Sequence, residues 1–278
     1  MRPILFSLGI AALAPLAYGQ APVVNAGGVV NNASYSTQGV APGSIVAIFG
    51  SNLAAKLAIS DTIPLSTNLG SVTSVTFNKV PAPLYFVGSL QIDAQLPYES
   101  LQSGSASGTA NIVVTTNTGS SASQSVNVVQ TLPGIFTVNQ SGTGQGIATD
   151  NNDGAIAAAA GSLSGLTTHP ISISSGHALV IWCTGLGAVT PSIADGSNSY
   201  SNGVLTLRKT VVQPPGLVVL VGGVSQQVVF SGLAPEFVGE YQVDVVLAPS
   251  TPTGNAIPVQ VQVNGVTTSD KVTIAVSN

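Results

Sequence analysis

Ten carboxylates, two histidines and one cysteine carry whatever acid–base, nucleophilic or metal chemistry this chain of 278 residues could perform. Glycoside hydrolysis needs two carboxylates facing each other across a cleft. Asp93 in LQIDAQLP and Asp244 in YQVDVVLA come forward first, because the two segments share one pattern. That likeness argues against a pair: residues at one position of two repeats belong to two domains, and both read as outer-face surface acids. Glu236 and Glu240 flank Phe237-Val238-Gly239 and read as a solvated turn. The other acids are Asp61, Glu99, Asp150, Asp153, Asp195 and Asp270. Asp150-Asn151-Asn152-Asp153-Gly154 has the oxygen ligands and tight turn that calcium uses. The EF-hand order fails there, since counting back from Gly154 puts Thr149 at the first ligand position and Ala160 at the closing one. Asx and Gly residues also make turns unaided, so no metal is expected.

His169 precedes Pro170 in a predicted loop, and His177 stands at a strand start where Ser44 stands in the other repeat. Ser-His-Asp catalysis needs a base held by a third group, and no G-x-S-x-G is present: Gly161-Ser-Leu-Ser-Gly165 puts Leu163 at the nucleophile position. Cys183 alone cannot complete a zinc ligand set or an intrachain disulfide, and is expected to be a buried, inert thiol. Gly142-Thr-Gly-Gln-Gly146 lacks the Lys-Ser/Thr and the helix of a phosphate loop. No catalytic residue, metal or cofactor is assigned, and the binding residues stay open. Among the aromatic residues, Tyr85, Tyr98 and Tyr200 are candidates for exposure. Trp182, in an apolar run, is expected in the core. No spaced aromatic row suggests a sugar platform.

The elements that would position these groups come from an internal repeat. GSIVAIFGSNL (43–53) aligns with GHALVIWCTGL (176–186), VTFNKVPAPLYFVG (75–88) with VLVGGVSQQVVFSG (219–232), LQIDAQLP (90–97) with YQVDVVLA (241–248), and 108–129 with 254–276. Four blocks in one order indicate duplication. Leu90, Ile92, Ala94 and Leu96 alternate with Gln91, Asp93 and Gln95, the period-two pattern of a half-buried strand; Tyr241, Val243, Val245 and Leu247 repeat its inner face. Ile45 to Phe49 and Ala178 to Trp182 are near-continuous apolar runs suited to central strands. Asn78-Lys79, Gly222-Gly223, Asn117-Thr-Gly and Asn264-Gly265 are hairpin turns. The fold class expected is all-β, two tandem immunoglobulin-like β-sandwiches of the IPT/TIG type. The first spans 20–132 and the second 133–278, the latter opening with an extra hairpin at about 145–158.

Residues 1–19 read as a signal peptide: Arg2, a short apolar segment from Ile4 to Leu16 broken by Pro15, then Ala17 and Gly19 before the cut. The chain is expected at the cell surface, secreted, or in the periplasm, with no membrane span. Only 6% of residues are charged, against about 25% in an average domain. The one adjacent basic pair, Arg208-Lys209, makes no phosphate-binding stripe, so no nucleic-acid partner is expected. Val/Thr-rich strands with few charged gatekeepers point to association through sheet edges.

The motifs NNASYSTQGVAPGSIVAIFGSNLA, VPAPLYFV, LQIDAQLPYE, LPGIFT, TGLGAVTP and FSGLAPEFVGEYQVDVVLAP, in that order, resemble the Solibacter-type C-terminal domain family of exported acidobacterial proteins. The resemblance runs from Val24 to Val276. It implies tandem IPT/TIG-like sandwiches and an extracellular, bacterial setting, and it supplies no catalytic or binding residues. The function expected is a non-catalytic exported module for binding, adhesion or structural assembly, with a protein or surface-glycan partner. A carbohydrate-binding module is the alternative, and a cryptic hydrolase the remote one.

Overall fold

A computed structural model describes residues 19–198, 216–269 and 271–278. The segment up to residue 18, expected to be a signal peptide, Tyr200, the Arg208-Lys209 pair and Asp270 lie outside the described residues.

Ten strands come first: β1 (Val23–Asn31), β2 (Ile45–Ser51), β3 (Ala58–Ile59), β4 (Val72–Phe77), β5 (Val80–Pro81), β6 (Leu84–Val87), β7 (Gln91–Gln95), β8 (Ser107–Thr116), β9 (Gly119–Ser120) and β10 (Gln124–Val129). They form one sheet in the order β1-β2-β7-β6-β3 and a second in the order β10-β8-β4-β5, with β9 on β8. Then follow β11 (Gly134–Ile135), β12 (Gly144–Gln145), β13 (Ala148–Asp150), β14 (Ile156–Ala157), β15 (Thr168–His169), β16 (Ile171–Ser172), β17 (Ala178–Thr184), β18 (Val218–Val221), β19 (Val224–Ser225), β20 (Gln227–Leu233), β21 (Tyr241–Val246), β22 (Gly254–Val263), β23 (Val266–Thr267) and β24 (Val272–Ser277). Their sheets run β15-β14-β13-β17-β21-β20, with β11 on β17, and β12-β24-β22-β18-β19, with β16 on β24 and β23 on β22. Each half is therefore two sheets around its own core, and the chain is two tandem immunoglobulin-like β-sandwiches. Among the described residues the helical elements are two 3-10 turns, Tyr98–Ser100 and Ile173–Ser175.

The pleat sends alternate side chains inward, and both cores follow from it. Val46, Ile48, Ile92, Ala94 and Leu96 fill the first with Phe77, Ile112 and Val114. Leu179, Ile181, Val243, Val245 and Leu247 fill the second with Val221, Val259 and Val261. Each fully buried Ile or Leu contributes about 1.5–3 kcal/mol of apolar transfer free energy.

The strand register gives the repeat its physical form. Ala47 pairs with Asp93 in the first unit, and Val180 with Asp244 in the second. Phe86 faces Asp93 across a bulge after Leu84, and Phe230 faces Asp244 across a bulge after Val228. The bulge itself is duplicated. Asn78, Lys79, Gly222, Gly223, Asn264 and Gly265 all have positive φ, the conformation that two-residue hairpins need. The single extra residue of the last block is taken up by a bulge between Gly254 and Ile257.

Several sequence expectations change. Trp182 is half-buried on the outer face of β17, because its neighbours Ile181 and Cys183 take the inward positions. Leu90 is 65% exposed. It precedes the ladder, which ends at the Phe49–Gln91 pair, and beyond a ladder the alternation no longer dictates facing. Gln95, expected on a wet face, is fully buried. His169 is in strand β15 rather than a loop.

The hairpin of the second unit is present, β13 antiparallel to β14 around the 150–154 turn, but its first arm is not extra. β13 pairs with β17 through Ala148–Ile181, Thr149–Val180 and Asp150–Leu179. The C-terminal half of β1 does the same on β2, through Val29–Ile48, Val30–Ala47 and Asn31–Val46. Gly134 and Ile135 in β11 likewise match Val23 and Val24. β1 is thus the counterpart of β11 and β13, and Asp150 occupies the place of Asn31. Further on, Ile171 joins β24 in parallel as Val40 joins β10. What the second unit adds lies between these landmarks: the segment between β11 and β13 that carries β12 to pair in parallel with β24, and then β14, β15 and the loop joining them.

Candidate functional site

Two gatherings of polar side chains stand out among the described residues, the seam between the sandwiches and the added segment of the second unit. At the seam, the linker after β10 is held from both sides. Asn31 donates through Nδ2 to the Leu132 carbonyl at 2.9 Å, while its Oδ1 accepts from the Ala33 and Ser34 amides. The Leu132 amide donates to the Gly185 carbonyl. Gly185 has φ +84°, and a Cβ there would lie 2.0 Å from the Leu132 carbonyl oxygen, so no other residue fits.

Thr184, fully buried at the end of β17, accepts from the Ile45 amide at 3.0 Å and donates to the Gly239 carbonyl at 2.6 Å. Gln95 accepts from the Gly196 amide at 2.6 Å. The Tyr85 hydroxyl donates to the Val238 carbonyl and accepts from its amide. The Tyr98 amide donates to Asp195 Oδ1 at 3.1 Å. Thr184 and Gln95 are buried polar groups that take a partner from the opposite unit, and losing it would leave an uncompensated desolvation cost of about 1–3 kcal/mol each; Tyr85, Tyr98 and Asp195 are half-buried. Of the candidates for exposure, Tyr85 is engaged here through its hydroxyl and Tyr98 through its backbone amide.

Burial sets the acid–base character of the seam. It pushes the Glu240 carboxyl up to about 7 and the Tyr85 phenol well above its ordinary value. Asp195 rises to about 6 by burial and by the neighbouring Glu99 carboxyl, against the stabilising Tyr98 amide. Glu240 is thus no solvated turn residue, because the sandwich contact covers it. Cys183 is fully buried with its thiol pushed up by burial, which keeps it protonated and unreactive. Beside the seam lies an open groove of about 520 Å³, lined by Tyr98, Glu99, Gln102, Ser105, Gln130 and Ala188 among others.

Asp93 and Asp244 stand at equivalent positions of separate sandwiches. Each accepts from the glutamine two residues earlier, Gln91 at 2.8 Å and Gln242 at 3.1 Å. Burial raises Asp93, and raises Asp244 to about 6. The structure does not bring the two together. Glu236 is exposed on its turn.

The second gathering was not legible as a cluster in the sequence. The turn 150–154 closes through the Gly154 amide on the Asp150 carbonyl and the Asp150 amide on the Ala155 carbonyl. Asp150, 4% exposed, accepts from the Asn152 amide on Oδ1 and meets His177 Nδ1 at 3.1 Å on Oδ2. Asp153 accepts from the Ala155 amide on Oδ1 and meets His169 Nε2 at 3.0 Å on Oδ2. Both histidines of the chain thus face acids of one turn. His169 is brought there by the parallel pairing of β15 with β14, a contact that the linear spacing does not announce.

No family model and no curated protein matches the chain. Among solved structures, the plexin A4 full extracellular region is similar at 13% identity and TM-score 0.30, over 99% of this chain and 20% of that one. The Bacteroides ovatus mixed-linkage glucan utilization locus SGBP-B, in complex with a mixed-linkage heptasaccharide, is similar at 12% identity and TM-score 0.31, over 86% and 42%. Domains 5–6 of the S-layer protein SbsC are similar at 15% identity and TM-score 0.24, over 92% and 99%. The chain spans about a fifth of the plexin and under half of the glucan-locus protein. Likeness at this level carries no ligand or activity across, and the reading of function rests on this molecule's own geometry.

Proposed function

We propose that the chain is an exported, non-catalytic module for binding, adhesion or structural assembly outside the cell, and a tandem of IPT/TIG-type sandwiches akin to the Solibacter-type family. The observation that carries this reading is the seam. Buried Thr184, Gln95 and Asn31 spend their hydrogen-bonding capacity joining one sandwich, or its linker, to the other. These fully buried polar groups help hold a two-sandwich body together, which suits a platform or spacer whose outer faces and edges meet a partner.

Edge strand β20 supports an edge-mediated contact. It ends its sheet, Val229 at its bulge is 49% exposed, and the strand carries no charged residue, so its unpaired backbone groups beyond the bulge can meet another strand. No helix among the described residues is long and apolar enough to cross a membrane. Capture of surface partners by the mature chain, followed by mass spectrometry, tests the reading. A specific partner lost on Val229→Lys supports it. Turnover of a glycoside or ester substrate by the purified chain would contradict it.

The groove beside the seam favours one second reading, a carbohydrate-binding module. Its volume is in the range of ligand sites, and Gln102, Ser105 and Gln130 supply hydrogen-bonding side chains. Binding on a glycan array that Gln102→Ala removes would favour this alternative, and silence across the array would discard it.

A further inference from the structure

We propose that Asp150, Asp153 and His169 form a binding site for a zinc-class divalent cation. The ligand atoms of these three side chains lie within 4.8 Å of one another. That spacing suits a common ion reached by small side-chain adjustments, since zinc sits about 2.0–2.2 Å from carboxylate oxygen and imidazole nitrogen.

The tautomer of His169 is the second argument. Its Nδ1 lies 3.1 Å from the Pro170 carbonyl. A carbonyl can only accept, so Nδ1 carries the hydrogen. In the neutral ring Nε2 then has a bare lone pair, and it faces the Asp153 Oδ2 lone pairs at 3.0 Å. Two acceptors at this separation call for something positive between or beside them, a proton or a metal ion. A histidine whose other ring nitrogen is tied to a backbone carbonyl is the usual form of a metal-ligating imidazole.

Asp150 is prepared in the same way. The Asn152 amide holds Oδ1, and His177 Nδ1 lies against Oδ2. These contacts orient the buried carboxylate as outer-layer partners orient metal ligands, and carboxylate oxygens retain further lone pairs for an ion. One imidazole with two carboxylates favours zinc and its neighbours over calcium or magnesium, which prefer all-oxygen sets. Three protein ligands also leave a position for water or for a group from a partner. An ion there would tie the 150–154 turn to β15, which is otherwise held to β14 by two residue pairs.

Titration of the mature chain with zinc chloride at pH 7.5, followed by calorimetry and by thermal unfolding, tests this. The expected result is one equivalent bound, with a rise in Tm of several degrees at a hundredfold excess over Kd. His169→Ala and Asp153→Asn should each weaken binding about 10–100-fold. Both residues are partly or fully exposed, so the ion-free Tm and far-UV circular dichroism should hold; if one variant misfolds, the other decides. Calcium chloride should produce no shift. Absence of heat and of a Tm shift with zinc overturns the proposal. So does zinc binding that a folded His169→Ala or Asp153→Asn variant leaves unchanged, which would mark an adventitious ion only. A response to calcium in place of zinc overturns the assignment of ion class.

Discussion

The two sandwiches share their strand register and part company at matched positions. Asn31 in the first unit and Asp150 in the second occupy the same place, and each accepts from the amide two residues on. Ser44 and His177 also correspond. The first unit's pair is neutral, and its Asn31 amide is spent on the linker. The second unit's pair is ionisable, and the segment inserted between Asp150 and Ile171 brings Asp153 and His169 beside it. One ancestral edge therefore serves assembly in one copy and gathers chemistry in the other.

A second matched pair is Asn52 and Gly185. Both have positive φ, but only Gly185 lies against the linker carbonyl. Placing the first unit's residue in the second, Gly185→Asn, should cost on the order of 4 kcal/mol or more, because backbone must move to admit a Cβ. Chemical denaturation would measure it. The reciprocal Asn52→Gly should change stability by about 1 kcal/mol or less. Equal effects from the two swaps would show that the linker contact does not distinguish the units.

Thr184 and Ser51 correspond in the same way. Thr184→Ala removes the hydroxyl that joins the Ile45 amide to the Gly239 carbonyl, and should cost about 1–3 kcal/mol. Ser51 is only half-buried, at the end of β2, so water can replace whatever its hydroxyl loses. Ser51→Ala should therefore stay within about 0.5 kcal/mol.

A smaller effect appears with pH. Glu240 at about 7 and Asp195 and Asp244 at about 6 hold protons more tightly when folded than when unfolded. Between an unfolded value near 4 and those folded values, the native state binds more protons, so stability falls as pH rises. The stabilisation is complete below about pH 4 and lost by about pH 8 for these three groups. Glu240→Gln should flatten the decline between about pH 5 and 8 in thermal melts. Its repeat counterpart Ser89 is exposed and contributes nothing to the slope.

Much of the fold was legible because periodicity and turn chemistry are local. Ile92-Ala94-Leu96 and Val243-Val245-Leu247 announce their inner faces, and Asn264-Gly265 its hairpin. The alternation also held the clue to Trp182, since Ile181 and Cys183 cannot share its face; the apolar run masked it. The β1 counterpart of β13 was hidden because Val23–Asn31 is one strand where the second unit is split into β11 and β13. The seam was invisible for another reason. Gln95 meets Gly196 and Tyr85 meets Val238 of the other sandwich, and single-strand patterning reports only a residue's own sheet. The histidine–aspartate cluster depends on a parallel pairing across a long loop, which no spacing rule encodes.

Differential scanning calorimetry of the chain from Gln20 onward tests the central claim, that the seam makes two repeats one body. The account predicts a single transition whose midpoint falls as a whole in Thr184→Ala. Two separate transitions, one of them untouched by Thr184→Ala, would contradict it.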